Sequence, residues 1–111
     1  MTGGKPDVGA ALESLARARP GLWSLSACGV TRSQSRIPAL VDRDAYAPGS
    51  ERVRVLLVAG LSGERQDVEA SLRFLEHFAR RGDRLAERIG LSSVPCANPD
   101  GLAQDADPES G

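Results

Sequence analysis

The segment Gly60-Leu61-Ser62-Gly63-Glu64 holds the residue types most open to a chemical reading. Two glycines allow a tight backbone turn after an apolar run, the place where α/β sheets bind ligands. A phosphate cradle would need a Lys-Ser/Thr pair behind the glycines, and none follows. A nucleophile elbow would have Gly-x-Ser-x-Gly, but Glu64 stands where the last glycine belongs, and its bulk would crowd the turn. Ser62 would also need a base. The lone histidine, His77, lies about four helical turns along the following segment, too far for a local dyad. A tight turn with a capping serine accounts for the same residues more simply. His77 stands between Glu76 and Phe78 with no second His or Cys at metal spacing, which suits a surface histidine better than a ligand. Glu64, Asp67 and Glu69 open the helix, where negative charge complements its dipole. Asn98-Pro99-Asp100-Gly101 is turn-forming by composition and taken alone names no function.

These residues need elements to position them. Val8, Ala11, Leu12, Leu15 and Ala16 recur at helical spacing over 8–18, and Pro20-Gly21 ends the pattern. Leu22–Cys28 alternates and predicts a strand, and Arg36–Val41 a second, with Pro38 placing it near an edge. Val53–Ala59 is the most apolar run and predicts a strand buried on both faces. An amphipathic helix is predicted over Gln66–Arg81, with Val68, Leu72, Leu75 and Ala79 as its stripe and Phe78 beside it. Leu91–Cys96 predicts the last strand. Helices alternating with strands predict an α/β fold. Residues 1–7 are expected to be a disordered lead-in, 8–102 one partial α/β domain, and 103–111 an acidic disordered tail.

The 111 residues suffice for one small domain, and a 41% hydrophobic fraction suits a globular one. Fourteen basic residues against fifteen acidic ones give no electrostatic case for nucleic acid or an anionic membrane. The first residues, Met1–Asp7, hold no apolar run of the kind a signal peptide needs, and no stretch reaches membrane-spanning length. A cytoplasmic location is expected, with Cys28 and Cys96 as buried free thiols.

Taken in order, Cys28-Gly29-Val30-Thr31, Ile37–Leu40, Val53–Gly60 running into Leu61-Ser62-Gly63-Glu64, a long helix, and Val94–Gly101 resemble the N-terminal portion of the zinc carboxypeptidases, the carboxypeptidase A-type metallopeptidases. Members carry Gly-x-Ser-x-x-Gly-Arg-x-Ile, then Gly-x-His-x-x-Glu at a strand end, then Pro-x-x-Asn-Pro-Asp-Gly. The last motif is matched in full from Pro95 to Gly101, and the resemblance runs from about Leu12 to Leu102. It implies a partial three-layer α/β sandwich with a mixed, mostly parallel sheet. In the family the His and Glu of the central motif ligate zinc. Here Ser62 stands at the His position and Arg65 at the Glu position, with Glu64 a one-residue slip away; Gln34 and Ser35 replace the Gly-Arg pair of the first motif.

A hydroxyl is a poor zinc ligand and a guanidinium cannot be one. The family's cofactor is zinc, and the expectation is that this chain binds none and has no catalytic residue of its own. The family's third ligand, general base and substrate arginines lie downstream of the Asn-Pro-Asp-Gly turn, and the chain ends ten residues after it. The expectation is therefore a truncated or decayed copy, inactive alone, acting on peptides or small amides only if completed. A noncatalytic binding module on the same scaffold is the alternative. Missing strands would leave an open sheet edge, so self-association is expected there.

Overall fold

The computed structural model describes residues 5–104. Helix α1, Val8–Ala18, starts where Asp7 leaves the helical conformation and its carboxylate accepts a hydrogen bond from the Ala10 N–H at 3.0 Å. Lys5 donates to the Ala103 carbonyl at 2.8 Å, so the described part of the expected lead-in is tied to the other end of the chain. The rest of the lead-in, 1–4, and residues 105–111 of the expected tail lie outside the described residues; Ala103 and Gln104 are helical.

Strands β1, Trp23–Val30, and β2, Arg36–Asp42, form an antiparallel hairpin, with a bulge where the register shifts between Ala27 and Gly29. After a loop, β3, Val53–Val58, leads into α2, Arg65–Arg81, then the single turn α3, Asp83–Ala86. The chain returns through β4, Ile89–Val94, parallel to β3, and closes with α4, Pro99–Gln104. The sheet order is β1-β2-β4-β3.

The sheet is mixed, but among its described pairings only β3–β4 is parallel, while β1–β2 and β2–β4 are antiparallel. "Mostly parallel" is corrected on that point: the first two strands meet through a five-residue hairpin, which joins only antiparallel neighbours. The edge position read from Pro38 is also corrected, since β2 lies between two strands. Pro38 is tolerated because β2 meets β4 at one pair, Leu40 with Ser93, so the missing N–H leaves no ladder bond unmade on that side. β3 does not have two buried faces. Among the described residues it is a border strand, and Val53 and Leu56 are each 63% exposed.

The core lies on one side of the sheet. Leu12, Leu40, Val68 and Leu75 are fully buried there. Trp23 spans beneath the helices, donating its indole N–H to the Leu91 carbonyl at 2.8 Å and packing on Phe78 with ring centroids 5.8 Å apart. On the other side a depression of about 330 Å³ is bordered by Cys28, Val41, Tyr46, Arg54, Leu56 and Val94. Tyr46 is 89% exposed, and no described helix covers this face, so the described residues form two layers of the expected three. Cys28 is accordingly exposed and Cys96 buried, which corrects the expectation for Cys28.

At the end of the sheet where β3 begins, Arg52 is clamped. Its guanidinium donates to Asp42 at 3.0 Å, Asp44 at 2.8 Å, and the carbonyls of Ala86 and Ile89 at 2.8 and 2.9 Å. Burial alone would lower the Arg52 pKa, but the hydrogen bonds and charges of Asp42 and Asp44 outweigh it and hold the group above its ordinary value. The clamp fixes the start of β3, and with it the direction in which β3 delivers its far end.

Candidate functional site

At that far end, β3 and β4 run side by side, and the loops leaving them touch. Ala97 N–H donates to the Ala59 carbonyl at 2.9 Å and Asn98 N–H to the Gly60 carbonyl at 3.0 Å, which extends the parallel pairing past both strands. Gly60 (φ 64°) and Gly63 (φ 73°) are both left-handed, and Gly63 N–H closes the turn on the Gly60 carbonyl at 2.9 Å. Gly63 has a second reason to be glycine. A Cβ there would stand 2.3 Å from the Leu102 nitrogen and 2.5 Å from the Gly101 carbonyl carbon. The two segments are thus in backbone contact, and side chains are excluded between them.

Asn98-Pro99-Asp100-Gly101, expected as a turn, is the start of α4. The Asn98 side-chain oxygen accepts from the Gly101 N–H at 2.8 Å, Leu102 N–H bonds back to the Asn98 carbonyl at 3.1 Å, and Pro99 occupies the first helical position. Asp100 faces the β1–β2 hairpin, where hydroxyls of Ser33 and Thr31, with Ser35, hold its carboxyl below the usual range. Gln34, at φ 67°, makes the hairpin's reversal. The three segments that carry the resemblance, 28–37, 60–65 and 95–101, therefore converge around α4. Neither the Asp100–hairpin contact nor the Arg52 clamp was visible from sequence spacing, because both join residues far apart in the chain.

Ser62 and Glu64 are exposed on the rim of this end. Ser62 borders a shallow groove with Asp67, Ala70 and Phe74. Glu64 holds the cap position of α2, and its side chain makes no cap hydrogen bond. Arg65 is the first residue of α2. His77 is exposed near the far end of α2, about 18 Å along the helix from Arg65. The structure thus separates Ser62 from His77, so the pair cannot act as nucleophile and base. Cys96 is buried behind the loops; desolvation pushes its thiol pKa up, against the Asn98 backbone contact that lowers it.

The sequence matches no family model, and no curated protein is similar to it. Solved structures are similar to it. Carboxypeptidase A from Helicoverpa armigera superposes with a TM-score of 0.72 at 21% identity, covering 84% of this chain and 24% of its own. The described residues have the fold of part of a metallocarboxypeptidase. The metallo-carboxypeptidase from Burkholderia cenocepacia gives 0.68 at 22% identity over 84% of this chain and 26% of its own. Bovine thrombin-activatable fibrinolysis inhibitor, solved in complex with a tick carboxypeptidase inhibitor, gives 0.69 at 14% identity over 88% and 32%. The chain spans about a quarter to a third of the length of these structures.

Zinc is the metal that this fold implies, and the residues here do not fit it. No three His, Cys, Asp or Glu side chains come together among the described residues in a way that could hold a metal ion. Ser62 and Arg65 offer a neutral hydroxyl and a cation where the resemblance places an imidazole and a carboxylate.

Proposed function

We propose that this chain is a metallocarboxypeptidase scaffold without zinc chemistry, a noncatalytic module in which the loop framing the metal is kept as structure and its ligands are not. One observation carries the reading. The Gly60–Gly63 turn is held in backbone contact with Asn98–Leu102, yet the side chains it presents are Ser62, Glu64 and Arg65. Both ligand positions lie inside the chain, so the reading does not depend on what precedes or follows it. Hydrolysis of peptides at their C-terminus needs a metal-activated water and a base, and the described residues supply neither set. A guanidinium at a ligand position would also repel a dication rather than merely fail to bind it.

A role in binding is favoured over hydrolysis by the exposed apolar side chains along β3, Val53, Val55, Leu56 and Val58. A cytoplasmic setting goes with this reading, because Cys28 and Cys96 are both free. No described helix is long and apolar enough to cross a membrane.

The test is to load the chain with zinc, dialyse it, and measure metal content together with release of C-terminal residues from peptides. Less than about one zinc in ten chains and no release above buffer are expected. Stoichiometric zinc with turnover that is lost in Ser62→Ala would overturn the reading.

A further inference from the structure

We infer that the Asp100–Gly101 bond is a site of spontaneous aspartate-to-isoaspartate isomerisation, gated by the opening of α4. Of the segment Asn98-Pro99-Asp100-Gly101, the fold uses the asparagine as a cap and the proline as a helix start. The Asp-Gly pair has a chemistry of its own. The Gly101 nitrogen, losing its proton, attacks the side-chain carboxyl carbon of Asp100. The new N–C bond forms as a C–OH bond breaks, and one water leaves. Water then opens the five-membered imide at either carbonyl. Cleavage on the side-chain side restores aspartate. Cleavage on the main-chain side leaves the chain running through the Asp100 β-carbon, one methylene longer, with the former main-chain carbonyl as a free carboxylate. No oxidant, cofactor or second protein takes part. Glycine screens its own nitrogen least of all following residues, since it carries no Cβ.

The folded structure keeps the reacting atoms apart. The imide ring is planar, so the Gly101 nitrogen must eclipse the Asp100 β-carbon. That requires an Asp100 ψ of roughly −120°, about 80° from the helical value, and Asp100 lies within α4. The nitrogen is also engaged: Gly101 N–H donates to the Asn98 side-chain oxygen at 2.8 Å. Gly101 is packed on its open side as well. A Cβ there would stand 2.6 Å from the Ser62 carbonyl oxygen and 2.8 Å from the Asn98 side-chain nitrogen. The Asp100 carboxyl, for its part, is engaged by the Ser33 and Thr31 hydroxyls.

All of these restraints are released together when α4 opens. Six residues are too few for a helix to stand alone. The cap, the buried Leu102 side chain and the contact of Gly63 with the Gly101 and Leu102 backbone hold it in place. Elements held by so few groups open locally well before the whole chain unfolds. The conversion then runs one way. Asn98 accepts from Gly101 N–H through its side chain and from Leu102 N–H through its carbonyl. An added methylene at residue 100 puts both donors out of step with it, so a converted α4 cannot re-form. The end of the sheet where the Gly60–Gly63 turn meets α4 stays loosened, and α4 acts as a latch that opens once.

Incubation of the 111-residue chain at neutral pH, folded and in urea, tests the site. Trypsin leaves the residues after Arg88 as one peptide carrying Asp100, because no Lys or Arg follows. Isoaspartate at residue 100 is read by fragmentation that distinguishes it from aspartate. The folded chain is expected to form it more than about tenfold slower than the urea-unfolded chain. Asn98→Ala removes the cap and is expected to raise the folded rate about fivefold, with the urea rate unchanged. Asn98→Asp, which also caps, is expected to stay within about twofold of the unaltered chain. The proposal is overturned by no isoaspartate at residue 100 in the folded chain while the unfolded chain forms it. It is equally overturned by a folded rate equal to the unfolded one, or by a folded rate indifferent to Asn98→Ala.

Discussion

Arg52 and Gly63 act at the two ends of β3 by different means. Arg52 has 12% of its side chain exposed and Asp42 2%, so the pair is nearly out of water. Removing the guanidinium leaves the Asp42 carboxylate buried and uncompensated, a loss of about 3–5 kcal/mol. Arg52→Met, which keeps the stem, is therefore expected to lower stability by about that amount in urea unfolding. At the other end, Gly63→Ala forces a methyl against the α4 backbone at a left-handed φ. A cost of about 3 kcal/mol is expected, with loss of protection in the 98–102 amides seen by hydrogen exchange. The thiols separate as well. Cys28 is exposed and Cys96 buried, so iodoacetamide is expected to modify Cys28 quickly and Cys96 only as the chain unfolds. Because the folded Cys96 pKa is raised, its contribution to stability is complete below the ordinary thiol range, about 8.5, and is lost as pH rises through the folded value.

Elements were legible where a single period governs burial. The spacing of Val8, Leu12 and Leu15 predicts 8–18, and α1 spans Val8–Ala18. The stripe of α2 is likewise read from Val68, Leu75 and Ala79, which are all buried. Neighbour relations were not legible. The Val53–Ala59 run reads as a strand buried on both faces, yet among the described residues its strand borders the sheet, because composition reports the faces a strand can cover and not which strands stand beside it. Pro38 misled for the opposite reason: a strand can be interior by order while paired at one residue. The short α4 hid in a turn signature, since Asn-Pro-Asp-Gly serves as a helix start when the asparagine caps it. Asn98→Ala is expected to cost about 1 kcal/mol and to loosen α4 without unfolding the sheet, measured by chemical denaturation and by amide exchange at Gly101 and Leu102.

At the scale of the molecule, the resemblance read from Pro95–Gly101 and the order of the other segments matches the fold found, and the three segments that carried it come together around α4. What sequence order could not supply is that α4 is the meeting point, because the contacts from Asp100 to the hairpin and from Gly63 to Leu102 span 39 residues or more of chain. The scaffold at this end depends on glycine backbone and an asparagine cap. The chemistry would depend on side chains at Ser62 and Arg65. These are separable, so a fold can keep the first while the second is replaced.

That separation is tested most directly by a calorimetric zinc titration of the chain beside its Ser62→His/Arg65→Glu variant. The account predicts no heat of binding for the chain at micromolar zinc and measurable binding by the variant, which regains an imidazole and a carboxylate on a loop already held in place. Tight zinc binding by the unaltered chain, abolished by Ser62→Ala, would contradict it.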